Sequence, residues 1–397
     1  MSEWPVVPAG SVTTQRKDIV VLEPGVEYRT MGVRWYGKGA YDRGSGTTET
    51  IKAKRLFRAR SGDFVFNRID TQNGAFDVVP EALDGALASN EFPLYIADPG
   101  RLLAAFLHLY FQQMSVLAQI DALRAGSEGR SRWKEADFEA WRIPLPPPAE
   151  QRRIVEVMAA VDAQLEALAE EAESAMKALA PMTESLLSAD DDWPVMSLGE
   201  VGEFIRGKRF TKADYTSSGL GVIHYSHIHT HFGPVATGVA AHVSEEARHR
   251  LRLAYPGDVV IAATSEDMAG VGKATVWLGS EGVAVHDDAQ IYRHRLDPLF
   301  ATFIFSSPAF QNQKVQYAGG TKVTRISGAD LAKIKVPIPP VEVQSRIGEA
   351  LAEQVGHVSR VRGELADLRR FRSTLLTALL NQEIEIPEFY DDLLETV

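Results

Sequence analysis

Ile143-Pro144-Leu145-Pro146-Pro147, followed by Gln151, Arg153 and Ile154, returns later in the chain as Val336-Pro337-Ile338-Pro339-Pro340, followed by Gln344, Arg346 and Ile347. The offset is 193 residues at every one of these positions. A second echo marks where each copy begins. Glu3-Trp4-Pro5-Val6-Val7 corresponds to Asp192-Trp193-Pro194-Val195-Met196, with Gly10 and Val12 matched by Gly199 and Val201. A third, again at 193 residues, sets Gly126, Arg132 and Ala136-Asp137 against Gly319, Arg325 and Ala329-Asp330. The predicted architecture is therefore a globule, a Pro-rich hinge and a helix, then the same again. Its boundaries fall at residues 1–147, 148–192, 193–340 and 341–397. Two copies of one recognition unit spaced by helices fit a ligand with two half-sites.

A chain of 397 residues is long enough for two to three domains. A hydrophobic fraction of 45% and a charged fraction of 24% are those of a globular protein. No apolar run approaches the ~18 residues needed to span a membrane. Met1-Ser2-Glu3-Trp4-Pro5 has neither the basic nor the apolar segment of a signal peptide. The absence of cysteine excludes disulfides, thiolate metal sites and cysteine nucleophiles, and fits a reducing, cytoplasmic setting. The net charge of −11 speaks at first against nucleic acid, but it is unevenly spread. Residues 1–142 are net 0 and residues 193–341 net +2, whereas residues 143–192 and 342–397 are net −8 and −5. The acidity thus sits in the helical segments. Balanced globules remain free to present a basic face.

Each globule reads as mixed α/β. Arg55-Leu56-Phe57 and Asp63-Phe64-Val65-Phe66 are predicted strands around a Ser61-Gly62-Asp63 turn, and Val259-Val260-Ile261 is another. One helix is predicted from Leu102 to Ala118, with a counterpart at Phe300–Phe310 that Pro308 interrupts. Beyond the first hinge, Ile154, Met158, Val161, Leu165, Leu168, Ala172, Met176 and Leu179 recur at spacings of three and four. Beyond the second, Ile347, Leu351, Val355, Val358, Val361, Leu365, Leu368, Leu375 and Leu379 do the same, with a weak step at Phe371-Arg372. These are seams of coiled-coil type. About 40 helical residues would reach ~60 Å at 1.5 Å per residue. Pro181 is expected to end or kink the first helix near Ala180. Val358, Leu365 and Leu375 are expected to be exposed in the isolated chain.

The chain resembles a specificity subunit of a type I DNA restriction–modification system. The motif of most weight is Pro144-Leu145-Pro146-Pro147-Pro148-Ala149-Glu150-Gln151-Arg152-Arg153-Ile154. The second copy, Val341-Glu342-Val343-Gln344-Ser345-Arg346-Ile347, departs from it, with Val343 in place of Glu150. The segment Leu368-Arg369-Arg370-Phe371-Arg372-Ser373-Thr374-Leu375-Leu376 adds to the likeness. In the first globule, Gly32-Val33-Arg34-Trp35-Tyr36-Gly37-Lys38-Gly39, Gly62-Asp63-Phe64-Val65-Phe66-Asn67-Arg68 and Ser89-Asn90-Glu91-Phe92-Pro93 are similar to one subtype of recognition domain. The second globule, opening Leu198-Gly199-Glu200-Val201, is similar to a different subtype.

The resemblance implies two target-recognition domains, each reading half of an asymmetric split DNA sequence. It implies two helices packed antiparallel as a coiled-coil ruler in a pseudo-two-fold arrangement. The implied partners are double-stranded DNA, two copies of a methyltransferase subunit and a translocating restriction subunit. S-adenosylmethionine and ATP with Mg²⁺ would be bound by those partners, and no cofactor by this chain.

The chain's own chemistry is consistent with a subunit that selects while others act. There is no Asn/Asp-Pro-Pro-aromatic tetrapeptide of an adenine methyltransferase, and Gly270-Val271-Gly272-Lys273 lacks the Walker spacing. The one catalytic temptation is His224-Tyr225-Ser226-His227-Ile228-His229-Thr230-His231. On a strand, His227, His229 and His231 would share a face suited to metal, with no carboxylate nearby in sequence. No metal is assigned, and His227 is kept as a DNA contact.

The other candidate DNA contacts combine basic, amide and aromatic side chains near glycines. They are Arg34, Trp35, Tyr36 and Lys38; Arg68, Gln72 and Asn73; Arg206, Lys208, Arg209 and Lys212 around Gly207; and Thr321, Lys322 and Arg325 with its equivalent Arg132. Lys52, Lys54, Arg58 and Arg60 would share one face if their stretch is a strand. Competing readings are a specificity module of another phage-defence methyltransferase, a scaffold whose globules bind protein, and a metal-dependent nuclease built on the histidines.

Overall fold

A computed structural model describes residues 4–53, 55–124, 132–188, 192–320, 322–387 and 389–390. The candidates Lys54, Gly126 and Thr321 lie outside the described residues. The chain divides into two compact units, residues 1–166 with 366–397, and residues 167–365. Two 40-residue helices, Pro148–Leu187 and Val341–Leu380, each give one half to each unit.

The repeated sequence echoes become one repeated piece of structure. In the first unit Val6–Pro8 pairs antiparallel with Arg142–Pro144, Val6 opposite Pro144. In the second, Val195–Ser197 pairs with Lys335–Pro337, Val195 opposite Pro337. The backbone closure is the same on both sides. Leu145 donates to the Pro5 carbonyl at 2.9 Å, and Ile338 donates to Pro194 at 2.9 Å. Gly10 and Gly199 are required by close approach. A Cβ on Gly10 would lie 2.9 Å from Glu139 Cβ, and one on Gly199 would lie 3.1 Å from Ala332.

The hinge glutamines explain why that residue recurs. Both are buried. Gln151 donates to the carbonyls of Pro146 (2.8 Å) and Arg101 (2.7 Å) and accepts from the Leu103 amide (2.8 Å). Gln344 donates to Pro339 (2.8 Å) and accepts from the Asp297 amide (2.9 Å). Each therefore satisfies backbone groups that a proline run cannot pair within itself.

Inside this shared frame the globules differ. The first holds a four-stranded sheet, ordered Thr13–Gln15, Leu94–Ala97, Phe64–Phe66, Phe76–Val78. Its five-stranded sheet runs Ile19–Val20, Leu56–Arg58, Leu87–Ser89, Tyr28–Val33, Ala40–Gly46. The second holds two five-stranded sheets. One is ordered Gly202–Arg206, Ala289–His294, Val259–Ala262, Ala274–Trp277, Val235–Ala236. The other is ordered Tyr215–Thr216, Ala241–Val243, Leu220–Ile223, Val283–Val285, Leu253–Ala254. The mixed α/β reading holds, and the strands at Leu56–Arg58 and Phe64–Phe66 are present, but they belong to different sheets.

An aromatic core of Phe64, Phe66, Phe111, Trp133 and Phe138 joins the first unit's sheet to Ile154 and Met158 of the first helix and Leu376 and Leu379 of the second. In the second unit Val259, Tyr292, Phe300 and Phe310 pack with Leu187, Ile347 and Leu351, and Val355 lies against them. Val161, Leu165, Leu168, Leu368 and Leu375 are half-buried. Val358 and Leu365, expected to be exposed, are buried, and Leu375 is partly covered where it packs against the first unit's core. The weak seam step is explained too. Arg372 forms a two-point ion pair with Asp162 and donates to Gln112 Oε1 at 2.8 Å, so a polar pair stands where apolar contact lapses.

Three further sequence expectations are corrected. Pro181 neither ends the helix nor stops it at Ala180; the helix continues to Leu187. A proline inside a helix costs ~3 kcal/mol. Burial of Met182, Leu186 and Leu187 in the second unit's core opposes that cost. The predicted Leu102–Ala118 helix is two, Ala104–Phe111 and Met114–Arg124. Gln113 between them is buried and turns its side-chain amide onto the Tyr110 carbonyl at 3.1 Å. Lys52 and Arg60 are not on a strand with Arg58; only Leu56–Arg58 is extended, and Arg60 sits 3.5 Å from Asp84. No helix among the described residues is long and apolar enough to cross a membrane.

Candidate nucleic-acid interface

In the first unit the structure brings together two candidate groups chosen separately. The Arg34–Lys38 loop leaves the strand Tyr28–Val33 and is fastened to the turn at Thr71–Asn73. Tyr36 donates its amide to the Asn73 carbonyl at 2.7 Å, and Gly37 donates to Gly74 at 3.1 Å. Arg34 closes the loop on Gly39 at 3.0 Å and lays its guanidinium 4.3 Å over the Tyr41 ring. Tyr36 has φ +58, a left-handed conformation costly for a bulky side chain. Such strain persists only where surrounding bonds over-determine it, and the two amide contacts do so. The result is a rigid exposed tip: Trp35 is 48% and Tyr36 74% exposed, edge-to-face at 6.3 Å, beside exposed Arg34 and Lys38.

Arg68, Gln72, Asn73 and Arg132 are more occupied. Arg68 is half-buried, donates to the Asn90 carbonyl at 3.0 Å and lies 3.6 Å from Glu135. It acts as a brace. Arg132 is exposed and pairs with Glu91 at 2.9 Å, on the same segment. Gln72 and Asn73 are half-buried; Asn73 touches Asp70, and the Gln72 carbonyl oxygen is buried without a partner.

In the second unit, Gly207 lets the chain pass hard against the end of the strand Val283–Val285. A Cβ there would lie 2.0 Å from the His286 carbonyl oxygen. Around that point Arg206, Lys208, Arg209 and Lys212 are all exposed. Arg206 and Arg325 line one cleft of about 980 Å³ with Tyr225, Gln290 and Tyr317. Arg325 is held there by Thr324–Arg325 pairing with Thr264–Ser265, and by backbone bonds to Gly319 at 3.0 Å. Lys322 is exposed on the same loop. The cleft is not purely basic. Arg206 donates to the Asp287 carbonyl at 2.9 Å and lies 3.3 Å from its carboxylate.

The histidine run is not a strand. Tyr225–Thr230 is a short helix, so His227 and His231, their rings 5.5 Å apart, stay together while His229 turns to another face. The apolar positions Tyr225, Ile228 and Phe232, spaced three and four apart, carried that signal and were outweighed by the alternation of histidines. Burial, with neighbouring His224 and His231, holds the His227 imidazole below its usual range. His286 and Asp288, which meet His224, were missed.

The family model described as "Type I restriction modification DNA specificity domain" matches residues 23–174 and again 190–355. The chain belongs to this family. It carries two such domains, the first match ending within the helix Pro148–Leu187. Among curated relatives it is 21% identical over 280 residues to the "Type I restriction enzyme MjaVIII specificity subunit" of Methanocaldococcus jannaschii, covering 63% of each chain. It is 22% identical over 370 residues to the "Putative type I restriction enzyme MjaX specificity subunit" of the same organism, covering 86% of this chain and 83% of that one. The chain thus spans just under two thirds of the first relative and more of the second. Solved structures share the fold along nearly the whole length. The HsdS subunit from Thermoanaerobacter tengcongensis gives a TM-score of 0.52 at 21% identity, covering 96% of this chain and 98% of that one. The type I restriction-modification system S subunit from M. genitalium gives 0.57 at 15% identity, covering 95% and 96%.

Proposed function

We propose that this specificity-domain protein is the non-catalytic DNA-recognition subunit of a cytoplasmic type I restriction–modification complex. The observation that carries the reading is the double family match on two globules with one frame and two interiors. The same entry-and-exit register encloses different sheet orders. One docking geometry with two reading surfaces fits an asymmetric bipartite target. The first unit reads one half through Arg34, Trp35, Tyr36 and Lys38, with Asn73 holding the loop. The second reads the other through Arg206, Lys208, Arg209, Lys212, Lys322 and Arg325.

The helices act as an antiparallel coiled-coil spacer in a pseudo-two-fold repeat, and dock two methyltransferase subunits. A restriction subunit joins them, and S-adenosylmethionine, ATP and Mg²⁺ belong to these partners. Support for the helix pairing comes from contacts within each unit. Asp162 meets Arg372 in the first, while Glu171 meets His357 and Ala175 meets Gln354 in the second. Residues later in one helix meet residues earlier in the other.

The test is a methylome. The chain is co-expressed with its methyltransferase partner in an unmethylated host, and modified adenines are mapped. A new split motif that requires this chain supports the reading. A stable complex without new methylation favours a protein-binding scaffold. Lys38→Ala is expected to weaken binding at one half-site only and to reduce the slope of log affinity against log salt by about 1, as for one lost phosphate contact. Titrations against duplexes mutated in either half read this out, and equal losses at both halves would contradict the two-module assignment.

A further inference from the structure

We propose that His224, His286 and Asp288 form a binding site for one divalent transition-metal ion of the zinc class. This departs from the expectation of no metal and does not depend on the DNA reading. The fold places the ligands. Leu220–Ile223 and Val283–Val285 are parallel neighbours with Ile223 opposite Val285. The next residue on each strand is a histidine, and the His286 amide donates to the Ile223 carbonyl at 3.0 Å. The two rings lie 4.5 Å apart. Asp288 Oδ2 sits 3.0 Å from His224 Nε2 and 2.8 Å from His286 Nδ1. The three donor atoms all lie within 4.8 Å of one another.

Two further observations separate this from an ordinary histidine–carboxylate pair. The first is that the remote atom of every ligand is held from outside. His286 Nε2 faces the Phe210 carbonyl at 3.1 Å, His224 Nδ1 lies 3.1 Å from Ser226 Oγ and accepts from the Ser226 amide at 3.3 Å, and Asp288 Oδ1 accepts from the Tyr225 amide at 3.3 Å. His286 has the orientation usual for a metal-ligating imidazole, with its second ring nitrogen on a carbonyl. The second is the buried His286 Nδ1, which has no aligned hydrogen bond although two carboxylates lie within 3.3 Å. With Nε2 on the Phe210 carbonyl, Nδ1 and the Asp288 carboxylate face each other at 2.8 Å, an arrangement that a bound cation would bridge and stabilise. Two imidazole nitrogens and one carboxylate oxygen are a zinc-type donor set with a place left open, and hold too few oxygens for calcium. Asp287 and Asp288 also line the Arg206 cleft, so a dication on Asp288 would stand beside the Asp287 carboxylate that holds that arginine.

The experiment uses the full-length chain, stripped with chelator and titrated with Co²⁺ as the probe, then with Zn²⁺. One equivalent of Co²⁺ should develop visible d–d absorption that Zn²⁺ abolishes. Asp288→Asn and His286→Gln should each weaken binding by roughly 100-fold or more, since a ligand is lost. The double variant His227→Gln/His231→Gln should bind as the wild type does. Absence of a stoichiometric Co²⁺ spectrum in the wild type would overturn the proposal. So would loss of the spectrum in the His227/His231 variant, or unchanged affinity in Asp288→Asn. These arms decide the question even if His286→Gln proves poorly folded.

Discussion

Leu351→Asp is expected to unfold the second unit. Leu351 is fully buried against a core that includes Phe300, Val336 and Ile338. Truncation alone of such a residue costs about 2–5 kcal/mol. A carboxylate in its place has no cationic partner in that core, so it must be desolvated or protonated at further cost. A total above ~5 kcal/mol exceeds most single substitutions. For a unit of this size that corresponds to a fall in Tm of roughly 10–20 °C. Ser359→Asp, exposed on the same helix, is the control and should stay within ~0.5 kcal/mol of wild type. Melts followed by circular dichroism read both. A wild-type melt for Leu351→Asp would mean that the helix does not belong to the core. Methylation of the complete target should be lost along with the fold.

Gln151→Leu should destabilise the first hinge by about 2–4 kcal/mol. The substitution keeps the volume but abandons the Leu103 amide and the carbonyls of Arg101 and Pro146, and each orphaned buried group costs about 1–3 kcal/mol. Gln344→Leu abandons two such groups, Asp297 N and Pro339 O, and should cost less. Urea midpoints give the totals. Amide exchange localises them, with protection falling near residues 101–111 in one variant and 297–304 in the other. A loss below ~0.5 kcal/mol for Gln151→Leu would show that water replaces the glutamine freely.

The hinge frame was legible in the sequence because it is local and repeated. A proline run, a glutamine seven residues beyond its first proline, and a close-packed glycine are short-range signals that one chain displays twice. Much of each interior was not. Leu56–Arg58 and Phe64–Phe66 look like a hairpin in sequence, yet the first pairs with Leu87–Ser89 and the second with Leu94–Tyr95. Such pairings are chosen by packing across long separations and leave no periodicity. The DNA candidates divide along the same line. Arg34–Lys38 and Asn73 were recognisable by residue type, and backbone bonds join them. Arg68 and Arg132 were recognisable as basic, but their engagement by Glu135 and Glu91 depends on tertiary neighbours. His286 and Asp288 stand more than 60 residues from His224, and only the parallel pairing of their strands brings them together.

Each globule enters and leaves the chain through facing residues of one strand pair, Val6 against Pro144 and Val195 against Pro337. Everything between those points is, to the helix that follows, a closed loop. Its contents can differ completely while its two ends stay in place. The differing sheets behind the matched registers are an instance of that freedom. A gene built this way can trade one interior for another by recombination inside two short conserved-geometry segments. On the function proposed above, one such exchange would give a new half-target while the helix that follows keeps its place.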